Sequence, residues 1–290
     1  MIKYAITLTI VLALPLILSG EPWKLDSNLN FSLTQSTYSS SWVGTELSNV
    51  TWLSSVNTSA EKQLKPWLQN KTTLKLAFGQ THLQKTNAVG DKYWAKPEKS
   101  TDKIDLESIL RFTTNAWLDP FVAARMESQF IDLSDNTLTR VINPILFTET
   151  AGVIRTFVET DNNFLSTRFG AAFRENLDRD VLDAATNERD TYSTVDGGLE
   201  MVTEYKHNFS PIDANLKSRL QVYQALFNSK KDELNEDWKS PDMMWENVLT
   251  AKLWKMLTVS ATFEARYEKE AVHELQWKQL LGLGFSFSLL

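Results

Sequence analysis

Cysteine is absent from this 290-residue chain. No disulfide framework can form, and no lipid can be attached through an N-terminal thiol. Histidine is scarce: His82, His207 and His273 are the whole set, which leaves little for a metal site or an imidazole base. Beyond residue 20 no apolar stretch approaches the ~20 residues that a membrane-spanning helix needs. A basic excess is missing as well. Without residues 1–20 the chain keeps 36 acidic and 29 basic residues (30 less Lys3), a net charge of −7. Nucleic-acid binding calls for a clustered basic surface and is not expected.

What the sequence does have begins at its N-terminus. One basic residue, Lys3, precedes an apolar run over residues 5–18, and Ser19 and Gly20 follow it. This is the layout of a secretory signal peptide cut near Gly20. The expected organisation is therefore a signal peptide over 1–20 and one domain over 21–290. Four tripeptides, at Asn49, Asn57, Asn70 and Asn208, match the glycosylation acceptor pattern. In a bacterial export context they are coincidences of a chain rich in Asn, Ser and Thr.

The mature chain alternates with a period of two. Near the C-terminus the odd positions read Leu275, Trp277, Gln279, Leu281, Leu283, Phe285, Phe287 and Leu289, and the even positions between them are polar or small except Leu280. An alternation this long marks a strand, longer than the five or six residues usual in soluble sheets. The pattern recurs at Leu257 to Tyr267, Leu216 to Leu226, Val195 to Tyr205, Leu165 to Phe173, Val122 to Phe130, Ile104 to Phe112 and Leu74 to Phe78. Weaker versions lie near 24–35, 47–61, 145–158 and 243–254. A negative mean hydropathy together with ten Trp fits a wall in which only every second residue meets lipid.

Twelve strands result, and the connections between them alternate in length. Short links are expected near 62–66, 115–120, 160–163, 207–213 and 254–256, and long ones near 35–46, 82–101, 133–144, 177–193 and 227–242. Outer-membrane barrels place short turns toward the periplasm and long loops outside. Trp67, Trp117 and Trp254 fall at the short-turn ends, and Trp42, Trp94, Trp238 and Trp245 at the long-loop ends. Two aromatic girdles give that distribution. The fold expected is an all-β transmembrane up-and-down antiparallel barrel of about twelve strands, in the outer membrane of a double-membraned (Gram-negative) bacterium. Its partners would be outer-membrane lipid and, during biogenesis, the barrel-assembly machinery, whose clients end on a strand like the last one here.

The stretch Asn143-Pro144-Ile145-Leu146-Phe147-Thr148-Glu149-Thr150-Ala151-Gly152 resembles one found in a family of uncharacterised outer-membrane barrel proteins, catalogued as a domain of unknown function. So do Arg168-Phe169-Gly170-Ala171-Ala172-Phe173-Arg174, the strand over 216–226, the segment Ser39-Ser40-Ser41-Trp42, and Asp102-Lys103-Ile104-Asp105-Leu106. The resemblance would cover nearly the whole mature chain. It implies a fold and a location, and carries no activity, cofactor or catalytic residue.

Chemistry must come from the side chains assigned inward. These are Arg111, Arg125, Arg155, Arg168, Arg174, Arg219 and Arg266, with Glu107, Glu127, Glu149, Glu200, Glu204, Glu246 and Glu264. Such a set is either a salt-bridged filling or a charged constriction that selects solutes, and both need the same residues. No His-x-Ser occurs, so an enzyme such as a lipid hydrolase is the least favoured reading. Asp178-x-Asp180-x-x-Asp183 lacks the spacing of a calcium loop and is expected to be a solvated acidic loop, with no metal or other cofactor. The expected function is a narrow passive channel. The alternative is a closed structural barrel that works through its long loops.

Overall fold

The computed structural model describes residues 22–38, 47–114, 116–183, 186–234 and 236–288. The expected signal peptide, Trp42 and the terminal Leu289 and Leu290 lie outside them. In chain order the strands are β1 (Lys24–Ser36), β2 (Asn49–Lys65), β3 (Leu68–Thr86), β4 (Lys92–Trp94), β5 (Glu98–Phe112), β6 (Asp119–Ser128), β7 (Ile131–Asp132), β8 (Arg140–Val141), β9 (Ile145–Glu159) and β10 (Asn163–Leu182). Then come β11 (Arg189–Phe209), β12 (Ala214–Asn228), β13 (Asp242–Trp254), β14 (Leu257–Glu268) and β15 (Val272–Ser288).

Twelve of these, all but the short β4, β7 and β8, form one antiparallel sheet in which chain neighbours are ladder neighbours. The sheet closes where β1 pairs with β15 in the register Asn28↔Ser288 to Ser32↔Gly284. Closure leaves no unpaired edge, which is what allows strands to exist in lipid. The shortest of the twelve, β6, has 10 residues, enough for the 9–11 or so that a tilted strand needs to cross a bilayer.

Aliphatic and aromatic side chains cover the outer face because the alternation puts most of them on one side of each strand. Trp67, Trp117 and Trp254 stand exposed at the short-turn end, and Trp94 and Trp245 near the long-loop end. Trp238 departs from the girdle expected for it. It sits in a short helical turn (Asp237–Lys239) of the β12–β13 loop and packs against buried Ala172, Tyr223 and Ala225. These three lie on the inner face, so the loop folds into the mouth.

A second departure concerns 177–193, expected as a loop. Pairing continues there from Leu177↔Ser193 to Leu182↔Arg189, across a bulge between Asp178 and Val181. The β10–β11 hairpin thus reaches beyond the height of its neighbours, and only residues 183–188 connect it. Residues 269–271, between β14 and β15, make a tight turn at the long-loop end.

Candidate functional site

Residues opposite one another in an antiparallel ladder share a face, so register fixes which side chains enter the lumen. Glu107 on β5 is at the centre, buried, and paired with Arg168 on β10 and with Arg219 on β12 at 3.2 Å. Arg219 also holds Glu204 at 2.8 Å. Arg125 on β6 grips Asp105 through two bonds of 2.9 Å, meets Glu127 at 2.9 Å, and donates to Gln221 on β12 at 2.7 Å. Gln221 donates in turn to Glu200, which also accepts from Thr150. None of the pairs between β5 or β6 and β10 or β12 are ladder neighbours. They cross the interior.

Lysines extend this network. Lys75 on β3 reaches Glu246 on β13 at 2.9 Å, and Lys71 reaches Glu204 on β11 at 3.5 Å. Lys103 stands 3.6 Å from Asp105 and 3.8 Å from Glu246. Burying a charge without a partner is costly, so each must find several, and the dense mixture of signs follows from that need. Toward the long-loop end Arg174 lies between Asp196 (2.8 Å) and Asp242 (3.0 Å), 3.5 Å from the Tyr223 ring centre. Toward the short turns Arg111 pairs with Asp119 at 2.5 Å.

Two of the fourteen residues expected inside are not there. Glu149 pairs across with Ala124 and with Phe173, an exposed outward ring, while its neighbours Thr148 and Thr150 are buried on the inner face. Arg155 pairs with Thr167, in the outward row that continues through Thr203 to Leu220 and Trp245. Its guanidinium bonds to the Trp117 carbonyl and lies over that ring. Both belong to the outer face. Asp105, Asp119, Asp196, Asp242, Lys71, Lys75 and Lys103 were missing from the expected set, although they share the inward parity of Glu107 or Arg174 on their own or paired strands. Phe121 and Tyr223 also face inward and are almost fully buried.

The rest of the wall is different. On β14, β15, β1 and β2 the middle inward positions are Ser260 and Thr262, Leu280, Gly282 and Gly284, Asn30 and Ser32, and Leu53, Ser55 and Asn57. Charge appears on the long-loop side of these positions, where Lys278 and Arg266 lie beside Glu264 at 3.0 and 3.6 Å. The Lys278 and Arg266 side chains are 52% and 49% exposed, against 5% for Arg125 and Arg168. Solvent therefore reaches these side chains far more than the cluster around Glu107. At the short-turn end a vestibule of about 780 Å³ opens, lined by Asn28, Asn208, Asn215, Thr250, Thr258 and Ser286, with Lys252 and Lys255 at its rim.

The long-loop end is tied by polar contacts. Arg140 pairs with Asp132 (2.6 Å) and Asp178 (2.9 Å), and buried Asn143 donates to the same two carboxylates. Asp178 thus serves as an anchor. Among the described residues no cluster of His, Asp or Glu is arranged to hold a metal. In the β12–β13 loop Asp237 bonds to Lys269 and His273, both at 2.9 Å, and these two partners hold its carboxyl below the usual range. His82 and His207 lie on β3 and β11, the latter 2.6 Å from the Asn163 side chain.

Residues 33–132, about a third of the chain, match the family model described as "Protein of unknown function (DUF3078)". The matched part includes Ser39 to Trp42 and Asp102 to Leu106, and stops short of the stretches at 143–152, 168–174 and 216–226. Among curated proteins none matches in sequence. Of solved structures, the chain is similar to the COG4313 outer membrane channel of Pseudomonas putida F1, with 10% identity over 91% of this chain and 94% of that one, and a TM-score of 0.48. It is also similar to the translocator domain of the autotransporter NalP of Neisseria meningitidis, with 11% identity over 93% and 90%, and a TM-score of 0.37. A third is Salmonella typhi OmpF, in complex with daunomycin, with 12% identity over 91% and 97%, and a TM-score of 0.26. Identities this low say nothing of what passes or binds; what stands is a closed antiparallel barrel with a polar, charge-bridged interior and a matched segment from a family of unknown function.

Proposed function

We propose that the protein is a narrow passive channel of a bacterial outer membrane, exported by a signal peptide over residues 1–20. Its short-turn end would face the periplasm. The observation that carries this reading is the unequal filling of the lumen: buried ion pairs occupy one side, while exposed inward side chains on β14 and β15 lie beside small polar groups. Eight strands close on their own side chains and 16–18 leave an aqueous channel, so twelve lies between the two. A wall packed with Arg and Glu on one side only leaves a constricted route. The test is single-channel recording of the refolded protein in planar bilayers. Small, steady or flickering conductance supports a channel; a silent bilayer at every voltage rejects it.

The closed, loop-displaying barrel is favoured by a separate observation. Trp238 enters the mouth, and Arg140, Asn143 and Asp178 lock the neighbouring loops. A silent wild type that stays silent after Trp238→Ala would make this the better account. For a lipid hydrolase no geometry speaks among the three histidines.

A further inference from the structure

We infer that the conducting route of this channel is off-centre, running along β14, β15, β1 and β2, and that it takes small uncharged polar solutes. The inference rests on the channel reading and specifies its path and its solutes. The ion pairs Lys75–Glu246, from β3 to β13, and Lys71–Glu204, from β3 to β11, cross the interior and divide it. On one side of this partition lie β5 to β12, filled by the buried cluster of Glu107, Arg125, Arg168 and Arg219 with their partners. On the other lie only four strands, bounded by β3 and β13.

Small polar groups predominate in the middle of the wall of that second compartment. Gly282 and Gly284 contribute no side chain, and a Cβ placed on Gly282 would come within 3.2 Å of Ser32. A Cβ on Gly284 would collide with the Phe31 carbonyl oxygen, so the glycines let β15 lie close against β1 and keep this stretch of wall free of long side chains. The mid-height groups are amides and hydroxyls, which donate and accept hydrogen bonds, together with Leu53 and Leu280, and none of them carries a charge. The vestibule at the short-turn end continues the same chemistry through Asn28, Thr258 and Ser286, which belong to these strands. A solute in this passage exchanges water for neutral hydrogen bonds. An ion there meets only charges that already have partners, Lys75 with Glu246 at the partition and Lys278 with Glu264 on the wall. Rings of one sign of charge select ions; the charges on this wall, Lys278 and Arg266 with Glu264, are paired with one another, so the passage should discriminate by size and by hydrogen-bonding capacity.

Because the chain lacks cysteine, single thiols can report the path. Asn30→Cys and Ser55→Cys place one in the open compartment; Thr148→Cys and Ser166→Cys place one on the buried inner face of β9 and β10. Each variant is first shown to be folded by heat-modifiable gel mobility. A methanethiosulfonate bearing a quaternary ammonium is then added during single-channel recording. The expected result is a several-fold loss of conductance from Asn30→Cys and Ser55→Cys, and no change from the other two. Block from Thr148→Cys or Ser166→Cys would overturn the path. Liposome swelling with small sugars and with amino-acid salts of similar size supplies the second readout. Faster entry of the sugars, with a reversal potential near zero in a salt gradient, is expected; a strong preference for cations or anions would overturn the solute class. A wild type without conductance would reject the channel itself, a different failure from conduction along the wrong side.

Discussion

The two sides of the lumen teach opposite lessons about charge in a membrane barrel. Between β5 and β12 the interior is held by side chains that could not be buried singly. Glu107 is satisfied by two arginines, Arg219 by two glutamates, and Arg125 by Asp105, Glu127 and Gln221. Between β14 and β2 the middle of the wall is uncharged, and the side chains there contribute shape more than attachment. Substitution should therefore be costly on the first side and cheap on the second. Removing one partner of a buried pair leaves the other uncompensated, at about 3–5 kcal/mol. Glu107→Ala, which strands Arg168 and leaves Arg219 with Glu204 alone, should show a loss of that order in urea unfolding from detergent micelles. Asn57→Ala, in the neutral compartment, should stay within about 0.5 kcal/mol. Equal losses would erase the distinction between the sides.

The contrast between inner and outer faces comes next in size. Leu220 faces lipid, opposite Thr203 and Trp245. Leu220→Arg and Phe263→Arg should each cost about 2–4 kcal/mol if they lie near the bilayer midplane. Folding into vesicles at rising urea measures the effect. Glu149, on the same outer face, gives a smaller effect of opposite sign. Glu149→Leu removes a carboxylate from the wall and should slightly raise the unfolding midpoint; a marked loss would mean that Glu149 faces inward.

That residue also shows how the sequence could be read, and misread. Strand number, strand type and most connections were legible, because lipid on one side and polar groups on the other impose a period of two. The face of Glu149 was legible too, since Phe147 and Ala151 share its parity, but its charge suggested the lumen. Arg155 was misplaced for the same reason, although Val153 stands two residues before it. The β10–β11 extension was hidden by composition. Residues 178–190 are largely charged or polar on both faces, because a hairpin clear of the membrane has no greasy side. The ion-pair network was legible only in its members. Which strand lies opposite which depends on tilt and stagger, and no single strand encodes those.

The smallest expected effect concerns the mouth. Trp238→Ala removes the ring that packs on Tyr223 and Ala225, and conductance should rise modestly. Asp237 ties the same loop to Lys269 and His273, and its depressed pKa fixes the sign of the pH effect. A carboxyl held below its usual value supports the tied state at neutral pH and loses that contribution as acid protonates it. Proteolysis of the β12–β13 loop should therefore speed up as pH falls below the ordinary aspartate range. Faster cleavage toward alkaline pH would contradict the tie.

The division of the lumen is tested most directly by hydroxyl-radical footprinting of the folded barrel in vesicles. Leu53 and Leu280 face into the neutral compartment, across from Ser32 and Thr262 in their ladders. Phe121 and Tyr223 face into the charged one and are 1% and 2% exposed. Aromatic rings are intrinsically the more reactive toward the radical, so intrinsic chemistry alone would label them first. The account predicts the reverse, with label on the two leucines and protection of Phe121 and Tyr223. Strong labelling of Phe121 and Tyr223 with unlabelled leucines would place the water on the other side and contradict it.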